Sequence, residues 1–225
     1  MQPPTPEFEN ECVPDKYPDL LVGQHFPPPP KQERSRRKQD ALLQSALALF
    51  AEQGYEETSI EHIAHHAEVA VGSFYQHFES KQQILLVLMD RLLQEAATLT
   101  LEAKSADLHD IRDSIEHLVR RALQVDWAYA GAYRAWREAT MRDAKLRVFQ
   151  LQIEVWTAQK LLLLFQLLSH VPGARQDVDR ETLAWELSLL LLRMAETPLE
   201  KPDAVVVSLT SLVYHGLFTD EGSHL

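Results

Sequence analysis

The sequence has little of what marks secreted or membrane proteins. It contains one cysteine, Cys12, so an internal disulfide is impossible and a reducing compartment is indicated. No apolar run reaches the roughly 20 residues that cross a bilayer, and the longest candidate, Leu161 to Leu168, is predicted to lie in a core helix. The N-terminal residues are acidic and proline-rich instead of basic and then apolar, which predicts no secretory signal. We therefore expect a cytoplasmic protein that does not engage a membrane.

The patterns that indicate catalysis or a bound cofactor are missing as well. There is no Gly-x-Ser-x-Gly nucleophile turn and no glycine-rich cofactor loop. His62 and His66 have the i, i+4 spacing of a metal-binding pair, but no third ligand with supporting spacing accompanies them. We therefore expect no enzyme, no cofactor and no metal site, and we interpret these histidines as exposed side chains of a helix.

An excess of positive charge is also lacking. Lys and Arg number 22 against 33 Asp and Glu, for a net charge of −11, whereas a nucleic-acid-binding protein is expected to carry a basic patch. The distribution is more informative than the sum, because residues 31–38 hold Glu33 as their only acid among a cluster of cations: Lys31, Arg34, Arg36, Arg37 and Lys38. Such a cluster can act as an N-terminal arm that reaches phosphates or the minor groove. DNA binding through it would depend steeply on salt.

Residues 58–81 predict two short helices joined by a tight turn. Thr58 and Glu61 have the spacing of a capping box, so a helix should begin just after Thr58. Apolar residues then follow at helical spacing and predict one buried face: Ile60, Ile63, Ala64 and Ala67. Phe74 and Phe78 give the next short segment its own buried anchors. This layout is typical of a helix-turn-helix, in which the second helix enters the DNA major groove.

The chain around this motif resembles the TetR family of bacterial one-component transcription repressors. The matching residues run from Arg37 to Ala64 and continue through Gly-Ser-Phe-Tyr-Gln-His-Phe-Glu-Ser-Lys at residues 72–81, within a resemblance that covers residues 34–90. As a continuous pattern this is far more specific than a bare helix-turn-helix. It implies a DNA-binding regulator.

The resemblance also implies which side chains contact DNA. Backbone contacts are implied for Thr58, Tyr75, His77 and Lys81, a place at the helix–DNA interface for Gly72 and Ser73, and base-edge contacts for Val71 and Gln76. Two positions depart from the family pattern. Glu68 stands where the family usually has Gly, in a turn that needs positive φ. Ala70 stands where it often has Ser or Thr, and Ala is a poorer N-cap by about 1 kcal/mol. We therefore expect the recognition helix to begin loosely, or to become firm only on DNA.

No strand pattern competes with the helical one, so we predict an all-α fold of about nine helices. Beyond the motif, helices are predicted at residues 34–50 and 81–102, from the N-cap Asp107, and at 128–141, 145–168, 179–196 and 202–218. The chain divides into a proline-rich extension at residues 1–30, a three-helix helix-turn-helix head at 31–80 and a helical bundle at 81–225. The resemblance implies that the bundle binds an effector and dimerises.

The extension has two interpretations. Its prolines favour a flexible or polyproline tail. Its apolar residues, Leu20 and Phe26 among them, favour a segment that docks on its own domain or on a partner.

An aromatic-rich set in the middle helices fits the small-molecule pocket that the resemblance implies. Its members are Trp127, Tyr129, Tyr133, Trp136, Phe149, Trp156 and Phe165, with Trp185 as a further candidate, and Arg134, Arg137 and Glu138 are placed to orient a polar end of a ligand. Aromatic walls with few polar groups are what a ligand pocket needs. The alternative is that most of these residues belong to the core. The sequence does not indicate the identity of the ligand.

The last two predicted helices are unusually apolar. The first has leucines that point in every direction, and such a helix is expected to be buried on all sides. The resemblance favours a two-fold four-helix dimer interface over an ordinary core pair, with contacts from Leu187, Leu191, Met194, Leu209, Leu212, Val213 and Gly216. A symmetric dimer would present two recognition helices to half-sites about one DNA turn apart.

The sequence and the resemblance together predict a sequence-specific DNA-binding regulator. We expect a homodimeric repressor that binds double-stranded DNA at a palindromic operator and is released by a small-molecule effector. The alternative is a helical protein-binding or adaptor module that has kept the head without operator function.

Overall fold

Regular secondary structure in the described part of the chain consists of nine α-helices. The computed structural model describes residues 17–28, 30–104, 110–194 and 201–219. The helices are α1 (Glu33–Gln53), α2 (Ile60–His66), α3 (Val71–Phe74), α4 (Lys81–Lys104), α5 (Ile111–Ala128), α6 (Ala130–Arg142), α7 (Ala144–Leu168), α8 (Arg180–Met194) and α9 (Pro202–Leu217). Within these residues there is no strand, only an isolated antiparallel bridge between Ala174 and Phe218, which confirms the predicted all-α fold. None of these helices is long and apolar enough to cross a membrane.

Apolar residues at helical spacing explain why α1 forms and which way it faces. Leu42, Ala46, Leu49 and Phe50 recur three and four residues apart and are buried together. The helix ends at Gly54, whose φ of 88° is a conformation that favours glycine. The chain can therefore turn sharply there towards α2.

The start of α2 lies one residue later than the predicted capping box places it. Ser59 is the N-cap, and its Oγ accepts a hydrogen bond from the backbone N–H of His62 at 3.1 Å. Thr58 is fully buried, and its hydroxyl donates to the backbone oxygen of Gly54 at 2.6 Å. Thr58 and Ser59 are both acceptable caps, because each carries a hydroxyl group. Thr58 is buried and bonded to Gly54, so Ser59 caps the helix, and the assignment of Thr58 as the cap is wrong.

The fifth helix starts at a different aspartate from the one expected. Asp110 is the N-cap of α5, and its carboxylate accepts from the backbone N–H of Asp113 at 3.1 Å. The predicted cap, Asp107, lies outside the described residues. Aspartates at both positions precede the same apolar periodicity, so the spacing alone does not choose between them.

Two apolar cores organise the helices. The first joins the head to the body, because side chains of α1, α2 and α3 pack with those of α4, α6 and the first half of α7. The second lies among α5, the end of α7, α8 and α9. The predicted domain boundary between residues 80 and 81 lies at the start of α4. The first core contains residues from both sides of this boundary.

Residues 17–26 dock on the head. Leu20 is fully buried in the first core, and neighbouring apolar residues pack against that core: Tyr17, Leu21 and Phe26. The side-chain amide of Gln83, near the start of α4, donates to the backbone oxygen of His25 at 2.5 Å. The docked interpretation is confirmed for this part of the extension, while residues 1–16 lie outside the described range.

α8 is not enclosed within one chain. Leu187 is buried, but Leu189 and Leu190 are 43% and 39% exposed. The helix packs mainly on α7, and its other side is left open. The expectation that this helix is buried on all sides is therefore wrong for a single chain.

Candidate nucleic-acid interface

The turn that leads into α3 contains a strained residue and an uncapped helix start. Glu68 has a φ of 54° and is the one residue other than glycine with positive φ in the described part of the chain. This conformation is unfavourable for a residue that carries a Cβ. Ala70 is the N-cap of α3 and offers no side-chain acceptor. α3 spans only Val71–Phe74, and the expected loose start of this helix stays a prediction.

Aromatic anchors hold this short helix in place. The rings of Phe74 and Phe78 are fully buried, with centroids 6.0 Å apart, and they fix one side of residues 71–78 against the core. The opposite side is solvent-exposed, with Val71 at 38% and Tyr75 at 53%. We call this surface the reading face; its members are Val71, Gly72, Tyr75 and Gln76, with Ser73 half-buried beside them.

Gly72 leaves open space on the reading face. A Cβ built at this position would meet no heavy atom of the described residues within 4 Å. The fold of the chain itself therefore does not require glycine here. A residue without a side chain is suited to the close approach of another molecule's backbone.

Two residues expected to contact the DNA backbone are engaged inside the protein. Thr58 is buried. The ammonium group of Lys81 donates to the backbone oxygens of Tyr55, Glu56 and Thr58 at 2.7, 3.2 and 3.0 Å. It also lies 4.4 Å from the centroid of the Tyr55 ring. A phosphate contact from Lys81 stays a prediction, and it would require the ammonium to share these acceptors or leave them.

His77 lies behind the reading face instead of on it. The residue is buried, and its Nε2 has no hydrogen-bond partner among the described residues. Burial lowers the pKa of His77, and the positive charge of Lys38 lowers it further, so the ring is neutral near pH 7. A contact between this ring and a phosphate stays a prediction.

The basic cluster is helical. α1 begins at Glu33, an acid that suits the positive end of the helix dipole. The cations that follow therefore project from the first turns of α1 and not from an N-terminal arm that precedes the helix. Arg37 pairs with Glu33 at 3.2 Å, and Nε of Arg36 donates to the backbone oxygen of Pro30 at 3.2 Å. We call this surface the cationic ridge; its members are Arg34, Arg36, Arg37 and Lys38.

The histidines of α2 contact α1. Nδ1 of His66 lies 3.0 Å from Oγ of Ser45, and Nδ1 of His62 lies 3.5 Å from the side-chain amide of Gln53. Both histidines are exposed, as expected. Within the described ranges, no group of three or more His, Cys, Asp or Glu is arranged to hold a metal ion.

The aromatic residues expected to line a ligand pocket are divided between the two cores. Trp136, Phe149 and Trp156 are buried in the first core, Tyr129 and Tyr133 pack against it, and Trp127 packs against the second. The two tyrosines use their hydroxyls to donate to carboxylates, Tyr129 to Glu95 at 2.7 Å and Tyr133 to Asp126 at 3.0 Å. Arg137 is exposed at the surface.

Polar groups in this region are poorly satisfied for a packed core. Burial raises the pKa of Asp126 to about 7, although the hydrogen bond from Tyr133 opposes the shift. The indole N–H groups of Trp127 and Trp156 are buried without a hydrogen-bond partner in the described structure. A buried donor without a partner is costly, so an acceptor brought by a ligand would be stabilising here.

The residues predicted for dimerisation fall into two groups. Leu187, Leu209 and Val213 are buried within the single chain, and Leu191 is partly buried against the same core. Met194, Leu212 and Gly216 line an open groove of about 1080 Å³ on α8 and α9, the α8–α9 groove, and Leu212 is 52% exposed. Sequence reasoning missed Leu190 in this groove, because apolar residues on every side of α8 hide which face is exposed.

A head of three helices with its short third helix exposed defines a DNA-binding protein of the helix-turn-helix class. Residues 42–88 match the family model described as bacterial regulatory proteins, tetR family. Over 76 residues the chain is 40% identical to the HTH-type transcriptional regulator TcmR of Streptomyces glaucescens, a match that covers 34% of this chain and 33% of that protein. Over the residues of the head, the chain is therefore similar to TetR-family transcriptional regulators.

Solved structures share the whole fold. The gamma-butyrolactone receptor (ArpA like protein) has a TM-score of 0.67 at 17% identity, over 84% of this chain and 92% of that one. AibR, in complex with isovaleryl coenzyme A and operator DNA, has a TM-score of 0.60 at 15% identity, over 78% of this chain and 97% of that one. Likeness at these identities shows the fold alone. The chain spans about a third of the length of TcmR.

Proposed function

We propose that the chain is a sequence-specific transcriptional repressor that binds a palindromic operator as a homodimer and leaves it when a small molecule binds the body. The observation that carries the proposal is the reading face, which is exposed as one surface and anchored from behind by the buried rings of Phe74 and Phe78. In helix-turn-helix proteins the corresponding helix lies in the major groove. Residues 31–80 would then read DNA, and residues 81–225 would bind the effector and dimerise.

The chemistry of the reading face suits base edges. The amide of Gln76 can donate to N7 of adenine and accept from its N6 amino group, and the methyl groups of Val71 can contact the methyl group of thymine. The hydroxyl of Tyr75 can donate to a phosphate. The cationic ridge adds positive charge to the head, so binding is expected to weaken steeply as salt rises.

The α8–α9 groove supports the homodimer. Leu190 and Leu212 are exposed in the single chain, and covering them with the same surface of a second copy removes apolar area from water. A two-fold axis at this groove makes the interface self-complementary. It would also place the two reading faces about one DNA turn, roughly 34 Å, apart.

The unpartnered donors of the body support the effector. An acceptor on a ligand would satisfy the indole N–H groups of Trp127 and Trp156, which lack one in the described structure. Both rings lie in packed surroundings, so ligand binding requires a body conformation in which these helices move apart. A ligand that prefers that conformation lowers DNA affinity by no more than the ratio of the ligand's own affinities for the two conformations.

Selection of duplexes from a random library by the full chain tests the proposal. We expect enrichment of a palindrome whose half-sites lie one helical turn apart. Gln76→Ala should weaken binding to the selected duplex by about tenfold or more and relax the preference at one position in each half-site. Gln152→Ala, exposed on α7, is the matched control and should bind as wild type does. A chain that stays folded but enriches no sequence would overturn the proposal and favour the protein-binding alternative.

A further inference from the structure

α6 lies directly against α1 of the head, with no side chain between the two backbones at one point. A Cβ at Gly131 would collide with the backbone oxygen of Leu47 and lie 2.9 Å from the backbone nitrogen of Ala51. Only glycine fits such an approach. The contact fixes where the body meets the last two turns of α1.

Arg134, three residues after Gly131 and on the same face of α6, binds the end of α1. Its guanidinium donates to the backbone oxygens of Ala51 and Glu52 at 2.7 and 3.4 Å. Carbonyl groups in the last turn of a helix have no partner within the helix and carry the negative end of its dipole. A cation supplied by the body therefore stabilises the end of a helix in the head.

Glu138, one turn further along α6, binds the turn that follows α1. Its Oε2 accepts from the backbone N–H groups of Tyr55 and Glu56 at 2.7 and 3.3 Å. Its Oε1 lies 3.6 Å from Nε of Arg134, so the two side chains also hold each other. Gly54 makes room for the carboxylate, since a Cβ there would lie 2.6 Å from Oε1. Arg134 and Glu138 are thus engaged with the head in this conformation, and a role for them in orienting a ligand stays a prediction.

The same turn is held from its other side by α4. Lys81 donates to carbonyl oxygens of residues 55–58, whereas Glu138 accepts from amide groups of the same segment. Two elements of the body thus converge on one short turn. α2 starts at Ile60, so the helix-turn-helix follows directly from the point that α4 and α6 hold together.

We propose that Glu138 is a positioning residue that holds the helix-turn-helix in the orientation in which a dimer reads its operator. The carboxylate belongs to the body and its amide donors belong to the head. A displacement of α6 relative to α4 therefore breaks these bonds without altering any contact within the reading face. In its DNA-binding part this inference rests on the proposed function, whereas the contact between Glu138 and the turn does not.

Amide hydrogen exchange on the full chain tests the contact. Glu138→Ala removes the acceptor, so the amides of Tyr55 and Glu56 should exchange at least about tenfold faster, while the core of α4 keeps its protection. Glu138→Gln retains a side-chain oxygen and should retain most of the protection. Glu186→Ala, exposed on α8, is the matched control and should change neither. Unchanged protection of Tyr55 and Glu56 in Glu138→Ala would overturn the contact.

Affinity for the duplex selected by the wild-type chain tests the positioning role. We expect Glu138→Ala to lower this affinity at least about tenfold and Glu138→Gln to keep most of it. Lost protection with unchanged affinity would overturn the positioning role. A wild-type chain that selects no duplex overturns the proposed function, and exchange alone then decides the contact. If Glu138→Ala does not fold, Glu138→Asp, which is one methylene shorter, replaces it in both measurements.

Discussion

Among single residues, Glu68 has a conformation imposed on it by the end of α2. The backbone N–H of Val69 donates to the oxygen of Ala64, and that of Glu68 donates to the oxygen of His65, both at 3.0 Å. Such a pair of bonds ends a helix when the first residue beyond the C-cap takes a left-handed conformation. Glycine is the usual residue at that position. The closing bonds therefore explain the φ of 54° at Glu68.

Replacement of Glu68 by glycine should stabilise the chain. Relief of the left-handed strain outweighs the larger backbone entropy that glycine loses on folding, so we expect a gain of about 0.5–1 kcal/mol in the free energy of unfolding. Urea denaturation measures it. Glu61→Gly, at an exposed helical position of α2, is the control and should lose about 1 kcal/mol. A loss in both variants would show that Glu68 is not strained.

Residue-scale prediction from sequence succeeded where the cause is local. The family resemblance implies a positive φ at residue 68 and a poor cap at Ala70, both of which concern the local backbone, and both are confirmed. Lys81 shows the limit. It stands at a helix start that disfavours a cation, and the carbonyl oxygens that bind it lie 23 to 26 residues earlier in the chain, a contact that no local spacing reveals.

Among the elements, the docked segment of residues 17–26 enlarges the head beyond its three helices. It contributes Leu20 to the first core and a backbone acceptor to Gln83. Deletion of the extension would therefore disturb the head itself.

Leu20→Ala should destabilise the head. The residue is fully buried, and a leucine truncated to alanine in a core loses about 2–5 kcal/mol through lost burial and the cavity left behind. Val22→Ala, in the same segment but exposed, should change the free energy of unfolding by less than about 0.5 kcal/mol. Urea unfolding of the two variants makes the comparison. Equal stabilities would show that the segment does not hold the core together.

The sequence largely predicts which residues form helices, but it does not predict which helices contact one another. α4, α7 and α9 occur within one or two residues of their predicted ends, because apolar periodicity and caps are local signals. The bond from Tyr55 to Glu138 joins residues 83 apart, and its donor is a backbone amide, which carries no sequence signal. The exposed face of α8 was equally hidden, since a helix apolar all round has no periodicity to read.

For the molecule as a whole, the α8–α9 groove makes a prediction about assembly. Leu212→Glu places a charge in the groove, where burial against a second copy would remove the carboxylate from water at a cost in free energy. We expect the wild-type chain to sediment as a dimer at micromolar concentration and this variant as a monomer. Val148→Glu, at a similarly exposed apolar position on α7, is the control and should remain dimeric. If Leu212→Glu sediments as wild type does, the two copies meet elsewhere.

The cationic ridge stands on a chain whose net charge is −11. Phosphates are attracted to the cationic ridge and repelled by the excess of acidic residues on the chain as a whole. Since binding to arbitrary duplex comes almost entirely from cations that displace counterions, a regulator with this charge distribution dwells only briefly at sequences that are not its own. If the proposed function holds, we expect the protein to search a chromosome by repeated diffusion through solution more than by sliding along the double helix. We therefore expect the fraction of time that the operator is bound to depend on the concentration of the protein in the cell more than on the length of DNA on either side of the operator.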